Sequence, residues 1–275
     1  MNAVEWEEFL FASTARVWQK VAPLAKKGGR GRTVGTGAAG DMTIYADKLA
    51  EDLLIGDLKK TAGVRILSEE AGAVGPRDGS ALAVVDPLDG SSNFERGIPF
   101  YCTSVAIVTG KSIDDTSVGV VRDLVTGDVY SARKGEGAKK NGKRIRTSRT
   151  VDSAKSLVGV DISRSPPGLV RALAPLVEGV KRQVHLGANA LELCYLAEGK
   201  TDSFVDLRGK MRVTDFAAAN LIAREAGAVV TGSYGETLDV RFDLEHRFSF
   251  VASANPVLHR KVLSMCKGWK GGEDL

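Results

Sequence analysis

Three cysteines in 275 residues, Cys102, Cys194 and Cys266, are too few and too scattered for a disulfide framework. Histidine is as scarce. His185, His246 and His259 stand apart without the spacings that hold zinc, and each reads first as a surface or packing residue. No apolar run approaches the roughly 20 residues that a bilayer-spanning helix needs, so no membrane partner is expected. The opening residues, M-N-A-V-E-W-E-E, carry acids where a secretory signal has a basic region, and a cytoplasmic protein is expected. A net charge of +4 is too slight to imply a nucleic-acid partner, although it suits an anionic small molecule. The basic runs Lys139-Lys140-Asn141-Gly142-Lys143-Arg144 and Lys181-Arg182 read as solvated turns and strand ends.

What is present is the composition of a globular enzyme, 43% hydrophobic and 26% charged, in a chain long enough for one large domain or two lobes. Residues 3–26 carry Trp6, Phe9, Leu10, Val17, Val21 and Leu24 at helical spacing. The glycine-rich stretch at 28–40 has no G-K-[ST] to make it a phosphate loop, and reads either as a connection or as a loop that closes over a ligand. Helical periodicity resumes over 43–60. Strands are expected at 64–67, 81–85, 103–109, 117–122 and 128–133, with a turn at Asn141-Gly142. Beyond residue 155 strands and helices alternate: strands at 157–161, 182–186 and 203–206, helices near 167–178, 188–198 and 214–226. The expectation is an α/β protein, with an α+β half over 1–155 that carries the acidic motifs and an α/β half over 156–275 that completes one catalytic unit.

Acids gather where such folds place their sites. Glu69 and Glu70 follow one strand, and Asp86 and Asp89 close the next. Asp47 lies in a helix with Glu51 one turn on, and Asp215 opens another helix. Carboxylates in one pocket repel, and a hard divalent cation with oxygen ligands removes that conflict, so magnesium or manganese is favoured over zinc. Pro87 holds Asp86 extended, and D-x-x-D followed by Gly90, Ser91 and Ser92 can aim two carboxylates, the Leu88 carbonyl and free backbone N–H groups at one place. Taken alone, D-P-L-D-G also fits an ordinary turn and helix cap.

It does not stand alone. S-E-E at 68–70, V-D-P-L-D-G-S-S-N-F at 85–94 and V-T-D-F-A-A-A at 213–219 occur in the order of the signatures of the inositol monophosphatase and fructose-1,6-bisphosphatase superfamily, which they resemble. D-K-L-A-E-D at 47–52 resembles its upstream helix, and G-A-N-A-L-E-L-C-Y-L-A-E-G at 187–199 its G-[ST]-A-A-x-x-x-C motif. The resemblance spans about residues 41–260. It implies a layered α/β/α/β/α sandwich, a lithium-sensitive, metal-dependent phosphatase, two or three magnesium ions and a homodimer. It also implies that Glu69, Asp86, the Leu88 carbonyl, Asp89 and Asp215 hold the metals. Asp47 would position the nucleophilic water, with Glu69 and the Ser91 hydroxyl beside it, and Gly90, Ser91 and Ser92 would take the phosphate. The stretch at 28–40 would be the family's mobile catalytic loop.

The substrate is less legible. Paired serines after D-P-L-D-G resemble fructose-bisphosphatases, F-E-R-G-I-P-F-Y resembles inositol monophosphatases, and D-L-R-G-K-M-R-V-T-D at 206–215 resembles archaeal members that hydrolyse both. Arg208 stands where inositol-selective members have an acid, and a bidentate contact with a second phosphate is expected of it. Arg164 and Arg182 are weaker candidates for the same role. Gly187 and Ala188 fall in the sugar-binding segment, with alanine in place of a hydroxyl. The favoured reading is a sugar phosphatase acting on fructose 1,6-bisphosphate and, second, on inositol 1-phosphate. A strict inositol monophosphatase is the nearest rival, a nucleotide 3′-phosphatase is disfavoured by Ser92, and a catalytically idle binding relative is the alternative of another class.

Overall fold

Trp6, Leu10, Val17 and Val21 recur at steps of one or two helical turns and are all buried, so the first segment winds into one amphipathic helix, α1 (Ala3–Lys26). The computed structural model describes residues 1–26, 33–38, 42–76 and 78–269. A two-stranded antiparallel ladder, β1 (Thr33–Thr36) and β2 (Met42–Ile44), leads into α2 (Tyr45–Leu58). Of the glycine-rich stretch, residues 28–32 and 39–40 lie outside the described residues.

The first sheet has eight strands: β3 (Val64–Ser68), β4 (Gly72–Val74), β5 (Ala81–Asp89), β6 (Cys102–Val108), β7 (Thr116–Asp123), β8 (Val129–Arg133), β9 (Ala138–Lys140) and β10 (Lys143–Arg144). Their order is β10-β9-β8-β7-β6-β5-β3-β4, antiparallel throughout except where β3 and β5 run parallel. Asn141 and Gly142, at φ 49° and 76°, make the expected tight turn between β9 and β10. Every residue of β5 and β6 is buried, which explains their unbroken apolar runs: both faces of the sheet are covered.

The second sheet is mixed. β11 (Leu157–Val160) pairs in parallel with β12 (Arg182–Val184) and β13 (Ser203–Met211), and β15 (Phe248–Ser253) and β14 (Val229–Thr231) add on antiparallel, giving the order β12-β11-β13-β15-β14. The single helix expected over 167–178 is two short ones, α4 (Leu169–Ala172) and α5 (Ala174–Gly179). Pro175 has no N–H to donate and its ring crowds the carbonyl of Arg171, so the first helix cannot run on. The remaining helices are α3 (Ser91–Arg96), α6 (Asn189–Ala197), α7 (Val213–Glu225) and α8 (Pro256–Cys266).

Three apolar cores stack these elements into five layers. Trp6 and Leu54, from α1 and α2, pack on Val85 and Val105 at one face of the first sheet. Leu193 and Phe216, from α6 and α7, fill the space between its other face and the second sheet, against Val121 and Phe250. Leu169 and Leu258 cover the far side of the second sheet over Val158. The layering α/β/α/β/α is the one the family resemblance implies. The two halves each own a sheet and share the α6–α7 layer, so the C-terminal end of β5 meets the first turns of α6 and α7.

Candidate active site

The apolar run of β5 ends in Asp86, and the register against β6 then slips: Asp86 faces Ser104, while Asp89 faces Cys102. Residues three apart in a regular strand point to opposite faces, and the one extra residue of a bulge restores them to the same face. Asp86 and Asp89 accordingly line one cavity of about 580 Å³, together with Asp47, Glu69, Leu88 and Asp215. Glu69 follows the parallel neighbour β3, its N–H donating to the Val85 carbonyl at 3.1 Å. Asp215 sits in the first turn of α7 and accepts the Thr214 hydroxyl at 2.8 Å. Asp47 sits in the first turn of α2, where its Oδ2 accepts the Ile44 N–H at 2.9 Å. Asp89 is anchored from the other half of the chain, its Oδ2 accepting the Ala190 N–H of α6 at 2.7 Å. Glu51, on the same helix face as Asp47, is occupied elsewhere. Its Oε1 accepts the Ser68 hydroxyl and the Ala71 N–H, both at 2.7 Å, and so fixes the turn after β3.

Electrostatics make this cluster costly without a cation. Glu69, Asp86 and Asp215 each bring an oxygen within 4.8 Å of the others. Burial pushes the Asp86 carboxyl well above its ordinary value, and the charges of Asp215, Asp89 and Asp47 push it further. Burial and then Asp215 do the same to Asp89, and burial raises Asp47 to about 7. Asn189 Oδ1 also lies buried at this cavity without a hydrogen-bond partner among the described residues. Clustered carboxylates and an unpartnered amide oxygen form the donor set that a hard divalent cation requires, so the residues fit the metal that the sequence resemblance implies. Arg212, unnoticed in the sequence, binds Glu69 and already places positive charge beside the acids.

A pH prediction follows from these directions. Unfolded aspartates ionise near pH 4. Above that value the native protein, with its raised carboxyl pKa values, retains more protons than the unfolded chain, so stability falls as pH rises through the folded values. For Asp47 the window runs from 3.8 to about 7. In chelator, the melting temperature should fall as pH rises from about 4 to about 7, the Asp47 window, and Asp86 and Asp89, both raised well above the ordinary value, extend the fall upward. Magnesium should restore it most at the upper end, and Asp86→Asn should flatten the slope. A melting temperature as steep in Asp86→Asn as in the unaltered chain contradicts this account.

Beside the acids lies the segment that can receive an anion. Gly90 has φ 89°, and a Cβ there would stand 2.9 Å from the Phe100 carbonyl and 3.0 Å from the Ala188 methyl, so only glycine fits. It presents the backbone of Ser91 and Ser92, at the start of α3, to the cavity. Gly187 also lines the cavity, but Ala188 does not: it is fully buried with its methyl against Gly90, and it shapes the site instead of touching a ligand. Two residues absent from the sequence reading hold this corner. Asn93 donates to the carbonyls of Leu186 at 2.7 Å and Phe100 at 2.8 Å. Glu192 Oε1, buried in α6, accepts the N–H groups of Leu186 and Gly187 at 2.9 and 3.0 Å and meets His185 Nδ1 at 3.1 Å.

Arg208 lines the cavity, yet its charge is already matched. Its guanidinium pairs with Asp206 at 2.7 Å and Asp161 at 2.5 Å and donates to the Ser163 carbonyl at 3.0 Å. Those two buried carboxylates were not visible as its partners in the sequence. Arg164 and Lys210 are exposed at the same rim, and Lys210 Nζ donates to the Arg164 carbonyl at 2.7 Å. Arg182 lies exposed on β12 and does not reach the cavity. Of the glycine-rich stretch, the described residues 33–38 reach the edge of the site: Ala38 N–H donates to the Glu70 carbonyl at 2.7 Å.

A family profile described as the inositol monophosphatase family matches residues 4–267. The fructose-1,6-bisphosphatase/inositol-1-monophosphatase of Thermococcus kodakarensis is 36% identical over 262 residues, covering 95% of this chain and 97% of that protein. A protein of the same description from Methanothermobacter thermautotrophicus is 36% identical over 270 residues, 94% of this chain and 95% of its own. Among solved structures, an inositol monophosphatase–fructose 1,6-bisphosphatase matches with a TM-score of 0.84 at 29% identity, covering 94% of this chain and 99% of that one.

Proposed function

The chain belongs to the inositol monophosphatase family, and from that membership we propose that it is a metal-dependent phosphoric monoester hydrolase acting on fructose 1,6-bisphosphate, with inositol 1-phosphate as a second substrate. The observation that carries the reading is the convergence of the Glu69, Asp86 and Asp215 oxygens within 4.8 Å at the end of β5. Both substrates appear in the descriptions of the relatives that cover nearly the whole chain.

Glu69, Asp86, Asp89, Asp215 and the Leu88 carbonyl would hold magnesium, or manganese in its place. Bound there, such a cation supplies an acidified water and neutralises charge on the phosphoryl oxygens. The chain's own groups do the rest. Ser91, Ser92 and their backbone N–H groups grip the phosphate and align its phosphorus for in-line attack. Asp47, held by the Ile44 N–H and lifted toward neutrality by burial, takes the proton of the attacking water. The P–O bond to the sugar breaks, the sugar oxygen leaves with a solvent proton, and inorganic phosphate remains. No phosphoenzyme is required. The same reading makes the protein a cytoplasmic homodimer, and no described helix is long and apolar enough to cross a membrane.

The second phosphate of a bisphosphate needs a cation with capacity to spare. Arg208 is committed to Asp161 and Asp206, so the role passes to Arg164 and Lys210 at the rim, while Arg208 fixes the Ser163 carbonyl below them. Lys210→Glu should raise KM for fructose 1,6-bisphosphate about tenfold more than KM for inositol 1-phosphate. Parallel phosphate-release assays on the two substrates check both points. Equal losses on the two would remove Lys210 from selectivity, and silence on both with cation binding intact would defeat the substrate assignment.

A further inference from the structure

A second cavity, of about 680 Å³, lies where the β3–β4 edge of the first sheet meets residues 239–242 and the turn at Gly110-Lys111. It shares no lining residue with the acidic cavity. Its charge is of the opposite sign: Arg65, Lys111 and Arg241 line it against one carboxylate, Asp239. We propose that this cavity is a binding site for a small organic anion, with a phosphate-like or carboxylate head and an apolar body, distinct from the catalytic site and independent of its assignment.

Arg65 carries the argument furthest. On β3 it shares a face with Leu67, whose side chain belongs to the core between the two sheets, so the arginine stem leaves the sheet on the inner face and the residue is half-buried. Its Nε is buried and has no hydrogen-bond partner among the described residues. Buried guanidinium N–H groups in native proteins are almost always paired, so this unmet donor, on a residue that lines the cavity, marks the Arg65 fork as one with hydrogen-bonding capacity to spare. Gly79 helps to hold it there. A Cβ at Gly79 would stand 2.7 Å from Arg65 Cγ, so the absent side chain gives the arginine stem its room. Lys111 is exposed at the mouth, and Arg241, 64% exposed, keeps only a loose 3.6 Å pairing with Asp243. A fork and two exposed cations around one space match a doubly charged oxyanion head.

The remaining walls decide the body of the ligand. Leu67, Val74, Leu82, Val240 and Phe242 supply apolar surface, and the volume falls within the roughly 300–1,000 Å³ common for small-molecule sites. An inorganic anion would leave that surface wet, whereas an aromatic or aliphatic body would cover it.

Phenylphosphonate is a suitable probe, because a phosphatase cannot hydrolyse its C–P bond. The full chain is titrated with it and followed by amide-resolved NMR, with magnesium and again with chelator, since the cation-free acidic cavity repels anions. The expected result is that the Gly75 and Gly110 amides shift under both conditions. Inorganic phosphate should bind at least about tenfold more weakly, and Lys111→Glu and Arg241→Glu, both at exposed positions, should each weaken phenylphosphonate by about tenfold. Shifts confined to the amides of Gly90 and Gly187 and abolished by chelator would overturn the proposal, as would an affinity that neither charge reversal changes. Equal affinity for inorganic phosphate would overturn the assignment of an organic ligand.

Discussion

Asp89→Asn is expected to lower kcat/KM for fructose 1,6-bisphosphate by about two to three orders of magnitude while the protein remains folded. The substitution keeps size and shape, and an amide oxygen can still accept the Ala190 N–H that now donates to Oδ2 at 2.7 Å. What it removes is one negative charge from a buried carboxylate beside half-buried Asp215, which repels Asp89 and helps to push its carboxyl up. Two effects of opposite sign follow. Without a cation the variant should melt at the same temperature as the unaltered chain or higher, because a buried repulsion is gone. With magnesium it should gain less, because a ligand is gone. Turnover should fall in step with that lost gain. A variant that melts normally in chelator, responds fully to magnesium and still turns over at the original rate would remove Asp89 from the catalytic machinery.

Asp47→Asn should be as damaging, by a different route. A positioned general base contributes about two to four orders of magnitude, and a carboxamide cannot take a proton from water. The amide can still accept the Ile44 N–H that fixes the side chain in the first turn of α2. The loss is therefore expected in kcat, with KM little changed, since Asp47 contributes to no grip on the phosphate in this account. The pH–rate profile separates the role from a structural one. In the unaltered enzyme activity should rise with pH as Asp47 loses its proton, at or below its cation-free value of about 7, because a bound cation favours the charged form. In Asp47→Asn that ascending limb should vanish from the residual activity. A limb retained at the same position would assign it to another group.

The features legible in the sequence were those written in consecutive residues. D-P-L-D-G after an apolar run, E-E after V-R-I-L and D-F-A-A-A at a helix start gave the acids, because strand ends and helix starts are local signals and two parallel strands bring their ends to one edge. The periodicity of α1 gave its bounds for the same reason. Partnerships formed across the chain were out of reach. The D-L-R-G segment offers Arg208 as a phosphate ligand, whereas its pairing with Asp161 is made across the fold and nothing within that segment announces Asp161. Arg212 meets Glu69 across 143 residues, and Asn93 meets Leu186 across 93. The regular segments at 203–206 and 214–226 make the second half read as alternating strands and helices. β15 follows an irregular stretch at 232–247, so its antiparallel return carried no pattern to announce it. The bulge that aims Asp86 and Asp89 together is likewise a property of two strands in register, whereas the proline between the two acids marks only that the backbone is extended there.

The claim on which the rest depends is that the acids at the end of β5 act through a bound divalent cation. Phosphate release from fructose 1,6-bisphosphate, measured as magnesium is titrated from chelator into the millimolar range, addresses it directly. The account predicts no turnover above background in chelator, recovery as magnesium is added, and a shift of the whole curve to higher magnesium in Asp215→Asn. Release that proceeds undiminished in chelator, or a magnesium curve that Asp215→Asn leaves in place, would contradict it.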